Sequence, residues 1–215
     1  WAQVIQRGNP PKIITEDIRI EYQIEGNTYS YGKTDSYGGE YKQFWDYVLL
    51  VFGVDLEHDK GLNLSDPDVH NGLAGKMVVK DNHFQVDGVP VVPVADNGTW
   101  NPYQIVVVTA RDTAGNLLAS TRTTIPTSNE ISCSKCHGAD AFSDILSKHK
   151  GKGEGQLGSN LSAVAPVLCA SCHGSPALGG EGPGMSKKYF SQAIHGFHST
   201  KNAACYDCHP GPATK

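Results

Sequence analysis

The first 132 residues contain no cysteine, and the whole sequence holds only two methionines and four arginines, none of the latter after Arg122. Disulfides and thiol chemistry are therefore excluded from more than half of the chain. Long apolar runs are also missing. The longest, Tyr47 to Val54, falls far short of the ~20 residues a membrane-spanning helix requires. No basic, apolar leader opens the sequence. Charge of one sign is scarce too, with 18 Lys+Arg against 22 Asp+Glu and a formal net charge of -4. That balance supplies no general attraction to nucleic acid or to an acidic membrane surface. What is present, 39% apolar and 19% charged residues with 24 Gly and 12 Pro over 215 residues, is a globular composition with room for one large domain or two small ones.

All six cysteines fall in three pairs of one form: Cys133-Ser-Lys-Cys136-His137, Cys169-Ala-Ser-Cys172-His173 and Cys205-Tyr-Asp-Cys208-His209. Successive motifs start 36 residues apart, a loose tandem array with no cysteine left over. Zinc binding, dithiol redox chemistry and disulfide pairing all use C-x-x-C, but none asks for His at the fifth position. Covalent haem does. Two thiols three positions apart form thioethers to the two vinyl groups, and the next imidazole reaches the iron. The expected cofactor is three covalent haems c. The thiols are then consumed, so cysteine pairing gives no clue to compartment. Covalent haem attachment as a class property implies a periplasmic or extracellular chain, reached through a leader this sequence does not show.

Composition divides the chain near Ser128. Residues 1–128 carry 10 basic and 16 acidic residues, whereas 129–215 carry 8 Lys, no Arg and 6 acids, and Pro126 with its polar neighbours reads as a linker. The fold class expected is a two-part α+β chain. In residues 1–128, strand signals occur at Ile18 to Ile24, Met77 to Val79 and Phe84 to Val94, the last interrupted by Asp87-Gly88 and two prolines. Gln104 to Arg111 and Leu117 to Ile125 flank a five-residue turn and read as a hairpin. Between the strands, Tyr41, Phe44, Trp45, Val48, Leu49 and Phe52 fall on one helical stripe. These signals predict a small β-sandwich with one inserted helix. An immunoglobulin-like topology is compatible with them, although strand count alone does not fix it. Residues 129–215 offer too little apolar surface, notably over 148–159 and 174–184, to form a core from side chains. A haem-packed segment is expected there, with short helices at Ala141 to Lys148, Leu161 to Cys172 and Ser186 to His195.

Nine histidines are available. His137, His173 and His209 are the proximal candidates. His149, His195 and His198 lie in the same half, one for the far side of each iron. His195 and His198, at i and i+3, share a face on a continuous helix and would serve neighbouring irons, unless Gly196 turns them apart. His58, His70 and His83 read as surface residues of the β half, with ligation of a haem in this or a neighbouring chain left open. Met185 is the rival ligand in the haem half. Two imidazoles saturate an iron, which predicts electron transfer through a relay of close haems, with no catalytic residue. Lys135, Lys148, Lys150, Lys187 and Lys188 are candidate neighbours of the propionates. Acidic groups at Asp55, Glu57 and Asp59 or at Asp66 and Asp68 read as solvated loop carboxylates, with calcium as the competing use.

Phe44-Trp-Asp-Tyr47, Asp87-Gly-Val-Pro90, Asn101-Pro-Tyr103, Ala110 to Asn116, Pro166 to His173 and Ala193-Ile-His-Gly-Phe-His198 resemble the multihaem c-type cytochromes of metal- and sulfur-reducing bacteria that carry a β-domain before the haem array. The resemblance implies bis-histidine haems with His149, His195 and His198 distal. It also implies outward electron transfer to other redox proteins or extracellular acceptors. Similar proteins often continue into further haem motifs, while this sequence stops six residues after His209. A homo-oligomer or conductive filament with haem contacts between subunits is one use of such an end. Two other functions fit the motifs: a reductase of a small inorganic compound with one open iron site, and an adhesion or docking β-domain with structural haems.

Overall fold

A computed structural model describes residues 1–125, 127, 131–149, 161–178 and 180–209. Pro126, Ser128 and Asn129 of the expected linker, and Lys150, lie outside the described residues. The chain forms two compact units, one of Trp1–Asp35 with Val54–Asn129 and one of Ser36–Gly53 with Glu130–Lys215. It is an α+β chain, as the sequence leads one to expect.

In the first unit, β1 (Ile5–Gln6) pairs with β2 (Lys12–Ile13). β3 (Ile18–Ile24) alternates outward Arg19 and Gln23 with buried Ile20, Tyr22 and Ile24, the two-residue period of a half-buried strand. β4 (Ala74–Lys76), β7 (Ile105–Asp112) and β8 (Leu117–Thr124) complete an antiparallel four-stranded sheet of order β4-β3-β7-β8. The β7-β8 hairpin falls on the expected segments. Its turn is closed by Asp112, whose carboxylate accepts from the Asn116 backbone N–H at 2.8 Å. β5 (Val78–Lys80) and β6 (His83–Gln85) form a separate pair.

The expected strand Phe84 to Val94 stops at Gln85. Pro90 and Pro93 have no backbone N–H for a ladder, so this stretch fills the interior as coil, with Val91, Val92 and Val94 buried. A sequence gives no direct signal for β1, β2 or β4, which are two or three residues long and, at β4, built around Gly75.

The core of this unit gathers Ile20, Tyr22, Ile24, Leu73, Met77, Phe84, Val91, Val106 and Ala110. Burial pushes the Tyr22 hydroxyl up to about 12, and it donates to the Gly72 carbonyl at 2.8 Å. Lys33, almost fully buried, donates to Asn27 Oδ1, the Val94 carbonyl and Asp96 Oδ1, each at 2.8 Å. Those three acceptors compensate an ammonium taken out of water.

The helix α1 (Gln43–Phe52), expected within the β part, groups instead with the second unit. It ends at Gly53, whose φ of 73° supplies the left-handed cap. The rest of that unit is α2 (Ser134–His137), α3 (Ala141–Lys148), α4 (Phe190–His198), α5 (Cys205–Cys208) and short 3-10 turns. α3 matches its expected bounds, and Asp140 caps it by accepting from the Ser143 N–H. The helix expected from Leu161 to Cys172 is absent. Only 3-10 turns form, at Leu161–Val164 and Cys169–Ser171, because Pro166 withdraws an N–H and disfavours a helical Ala165. The helix expected over Ser186 to His195 is shifted to Phe190–His198 and runs through Gly196 without a break.

Candidate haem-binding sites

Each C-x-x-C-H motif closes one tight turn. The His137, His173 and His209 backbone N–H groups donate to the carbonyls of Cys133, Cys169 and Cys205 at 3.0, 2.9 and 2.9 Å. Positions i, i+3 and i+4 thereby share one face, which turns both thiols and the imidazole to the same side. All six cysteines are free thiols. Burial raises the pKa of Cys133 and Cys169.

Every motif histidine has a second imidazole opposite it. His137 faces His198 with ring centroids 6.3 Å apart, His173 faces His149 at 6.3 Å, and His209 faces His195 at 6.0 Å. These six rings are the six histidines read from sequence as iron ligands, one motif and one non-motif residue in each pair. The separation excludes stacking contact. A metal–imidazole bond of about 2 Å on each side, with the nitrogen roughly 1.1 Å from its ring centre, sets two axial rings about 6.2 Å apart. The three centroid separations match that spacing. Because α4 is continuous, His195 and His198 stay one turn apart and reach His209 and His137, as a shared helical face requires. α3 ends where His149 meets His173.

Around the third motif lies a cavity of about 540 Å³ whose lining includes Cys205, Cys208, His195, His209, Phe190 and Ile194. Its size is that of a cofactor pocket, with apolar walls and a few convergent ligating groups. Beside Leu168, which precedes the second motif, Phe44, Tyr47 and Phe52 of α1 and Phe142 of α3 line a smaller apolar cavity of about 180 Å³.

Among the described residues of the second unit, only Trp45, Val48 and Leu146 are buried apolar side chains. A unit of this length needs more interior than that. The residues present fit haem at each motif, with a thiol pair for attachment and two imidazoles at a metal-bridging separation, and a cavity of cofactor size lies at the third. No cluster of three or more His, Cys, Asp or Glu occurs among the described residues. A porphyrin iron needs only two protein ligands, because the ring nitrogens supply the rest.

A backbone hydrogen bond and an ion pair tie the first motif to the third. The Ser132 N–H donates to the Cys208 carbonyl at 2.9 Å, and Lys135 pairs with Asp207 at 2.6 Å, joining the first motif to the third. Behind the second motif, Gly174 and Gly182 approach closely: a Cβ on Gly174 would lie 1.7 Å from the Gly182 carbonyl oxygen. That approach seats the Ser186 hydroxyl 2.8 Å from His173 Nδ1. His198 Nδ1 donates to the Ile194 carbonyl at 2.9 Å, and Asp144 Oδ2 lies 2.5 Å from His137 Nδ1. Sequence reasoning missed Asp144, Ser186 and Asp207. Only the Asp144–Lys148 spacing of four on one helix was a readable signal.

Of the lysines named for the propionates, Lys135 and Lys148 are engaged with Asp207 and Asp144. Met185 is 67% exposed. In the other unit, His58 stacks on Tyr31 at 3.5 Å, His83 meets Trp1 edge-on, and His70 Nε2 lies 2.9 Å from the Pro67 carbonyl. Comparison with known protein families, curated proteins and solved structures returned no match.

Proposed function

We propose that the chain is an electron-transfer protein, a multihaem c-type cytochrome with three covalent, bis-histidine haems and no catalytic residue. Cys133 and Cys136, Cys169 and Cys172, and Cys205 and Cys208 form the thioethers. His137 with His198, His173 with His149, and His209 with His195 hold the irons. The observation that carries the proposal is the opposition of each motif imidazole to one non-motif imidazole at 6.0 to 6.3 Å. Bound haem supplies a one-electron couple between ferric and ferrous iron.

The protein's residues fix the remainder. The motif turns orient the proximal rings, α3 and α4 present the distal rings, and two ligands per iron leave no position for a substrate. A reductase with an open iron site requires an idle histidine, and each of the three faces a motif ring. Packing of haem in the second unit accounts for its sparse apolar interior, and an immunoglobulin-like β part remains part of the proposal.

The location proposed is periplasmic or extracellular, with other redox proteins or extracellular acceptors as partners. Among the described residues, no helix is long and apolar enough to cross a membrane. Self-association, up to a filament, is supported by β8, an outer strand exposed along all eight residues. Low-temperature electron paramagnetic resonance of the oxidised protein tests the ligation. Low-spin ferric signals alone are expected; a stoichiometric high-spin signal would defeat the bis-histidine assignment.

A further inference from the structure

The three motif histidines do not meet equal surroundings. We propose that Asp144 is a positioning residue that makes the first site, His137 with His198, more strongly reducing than it would be without that carboxylate. This rests on the haem-binding function proposed above. Asp144 Oδ2 lies 2.5 Å from His137 Nδ1, and its other oxygen accepts from Lys148 Nζ at 2.7 Å, one helical turn along α3. An ionised carboxylate only accepts, so the His137 proton sits on Nδ1 and Nε2 carries the free lone pair. The contact fixes ring orientation as well as tautomer. It also raises the electron-donating power of Nε2, which favours ferric over ferrous iron at that site.

His173 has no such partner at Nδ1. It meets the neutral Ser186 hydroxyl, whose own proton is directed to the Lys188 carbonyl at 2.8 Å. The distal His198 gives its Nδ1 proton to a backbone carbonyl. Lys148 draws charge from Asp144 and so partly offsets its action on His137.

Opposite substitutions on this pair give opposite effects. Asp144→Asn removes the anion and should raise one of three reduction potentials, by tenfold or more in that site's equilibrium constant, or about 59 mV for a one-electron couple. Lys148→Ala, at a side chain 56% exposed, leaves the carboxylate uncompensated and should lower the same potential. His198→Met marks which wave belongs to the site, because a thioether ligand raises its potential.

The measurement is a spectroelectrochemical titration of the purified haem-loaded protein, with haem stoichiometry and low-spin signals checked in every variant. A shift confined to the wave that His198→Met marks, with opposite signs in the two variants, supports the inference. Unchanged potentials, or equal shifts of all three waves, overturn it. If Asp144→Asn fails to load, Lys148→Ala decides alone: a fall confined to the marked wave supports the inference, and no change, a rise or an equal shift of all three waves overturns it. Absence of haem from the unsubstituted protein would instead remove the function on which the inference rests.

Discussion

Asp96 and Lys33 show at the residue scale how the first unit holds a buried charge. Burial alone would raise the Asp96 carboxyl, but hydrogen bonds from Lys33 and Thr28 outweigh it and hold the group below its ordinary value of 3.8. A lowered folded pKa adds stability that is fully present above the unfolded value and lost as pH falls through the folded one. Stability of this unit should therefore decline on acidification below about pH 4, in urea unfolding curves recorded across pH. Asp96→Asn should cost about 1–3 kcal/mol at neutral pH and flatten that decline, since Lys33 keeps only neutral acceptors. At the haem sites the matching experiment is His149→Met. One reduction potential should rise, and it should be one of the two waves left unmoved by substitutions at Asp144 and His198.

At the scale of elements, α1 is where local pattern and tertiary placement part. Its end at Gly53 was legible, and so were its buried positions Trp45 and Val48, but Phe44 and Leu49 of the expected stripe are exposed and Tyr41 precedes the helix, and the choice of partner depends on surfaces distant in sequence. Strands read from alternation and bounded by a clear turn, β3, β7 and β8, were legible nearly to the residue. The Phe84 to Val94 and Leu161 to Cys172 segments were not, because in each a proline withdraws the N–H that an apolar pattern presupposes. If α1 belongs to the second unit, Trp45→Ala should destabilise that unit by about 3–5 kcal/mol. Unfolding followed at the haem absorbance should shift, while that of the β-sheet should not. Gly174→Ala should likewise disturb the second site, because its Cβ would fall 1.7 Å from the Gly182 carbonyl oxygen. Its expected signature is altered ligation at one haem of three.

The whole molecule divides its interior in two ways. One unit buries a side-chain core around Ile20, Ile24 and Phe84, and the other, among its described residues, buries few apolar side chains and brings the imidazoles together in pairs. The six cysteines and the three motif histidines were legible as candidates because attachment of a haem would fix their spacing within five residues, whereas His149, His195 and His198 were singled out by their number in the same half and by the resemblance. The pairing of His137 with His198 and of His209 with His195 was not legible, since it depends on α4 continuing through Gly196. Assembly belongs to this scale as well. Native mass measured against concentration should show species larger than one chain, and a monomer at all concentrations would reject the filament.

The central claim is covalent attachment of haem at all three motifs, and the intact mass of the denatured protein tests it most directly. Thioethers survive unfolding, so the mass should equal that of the polypeptide, 23.1 kDa, plus three haem groups. The mass of the bare polypeptide, or of a zinc-loaded chain that loses its metal on denaturation, would contradict the account.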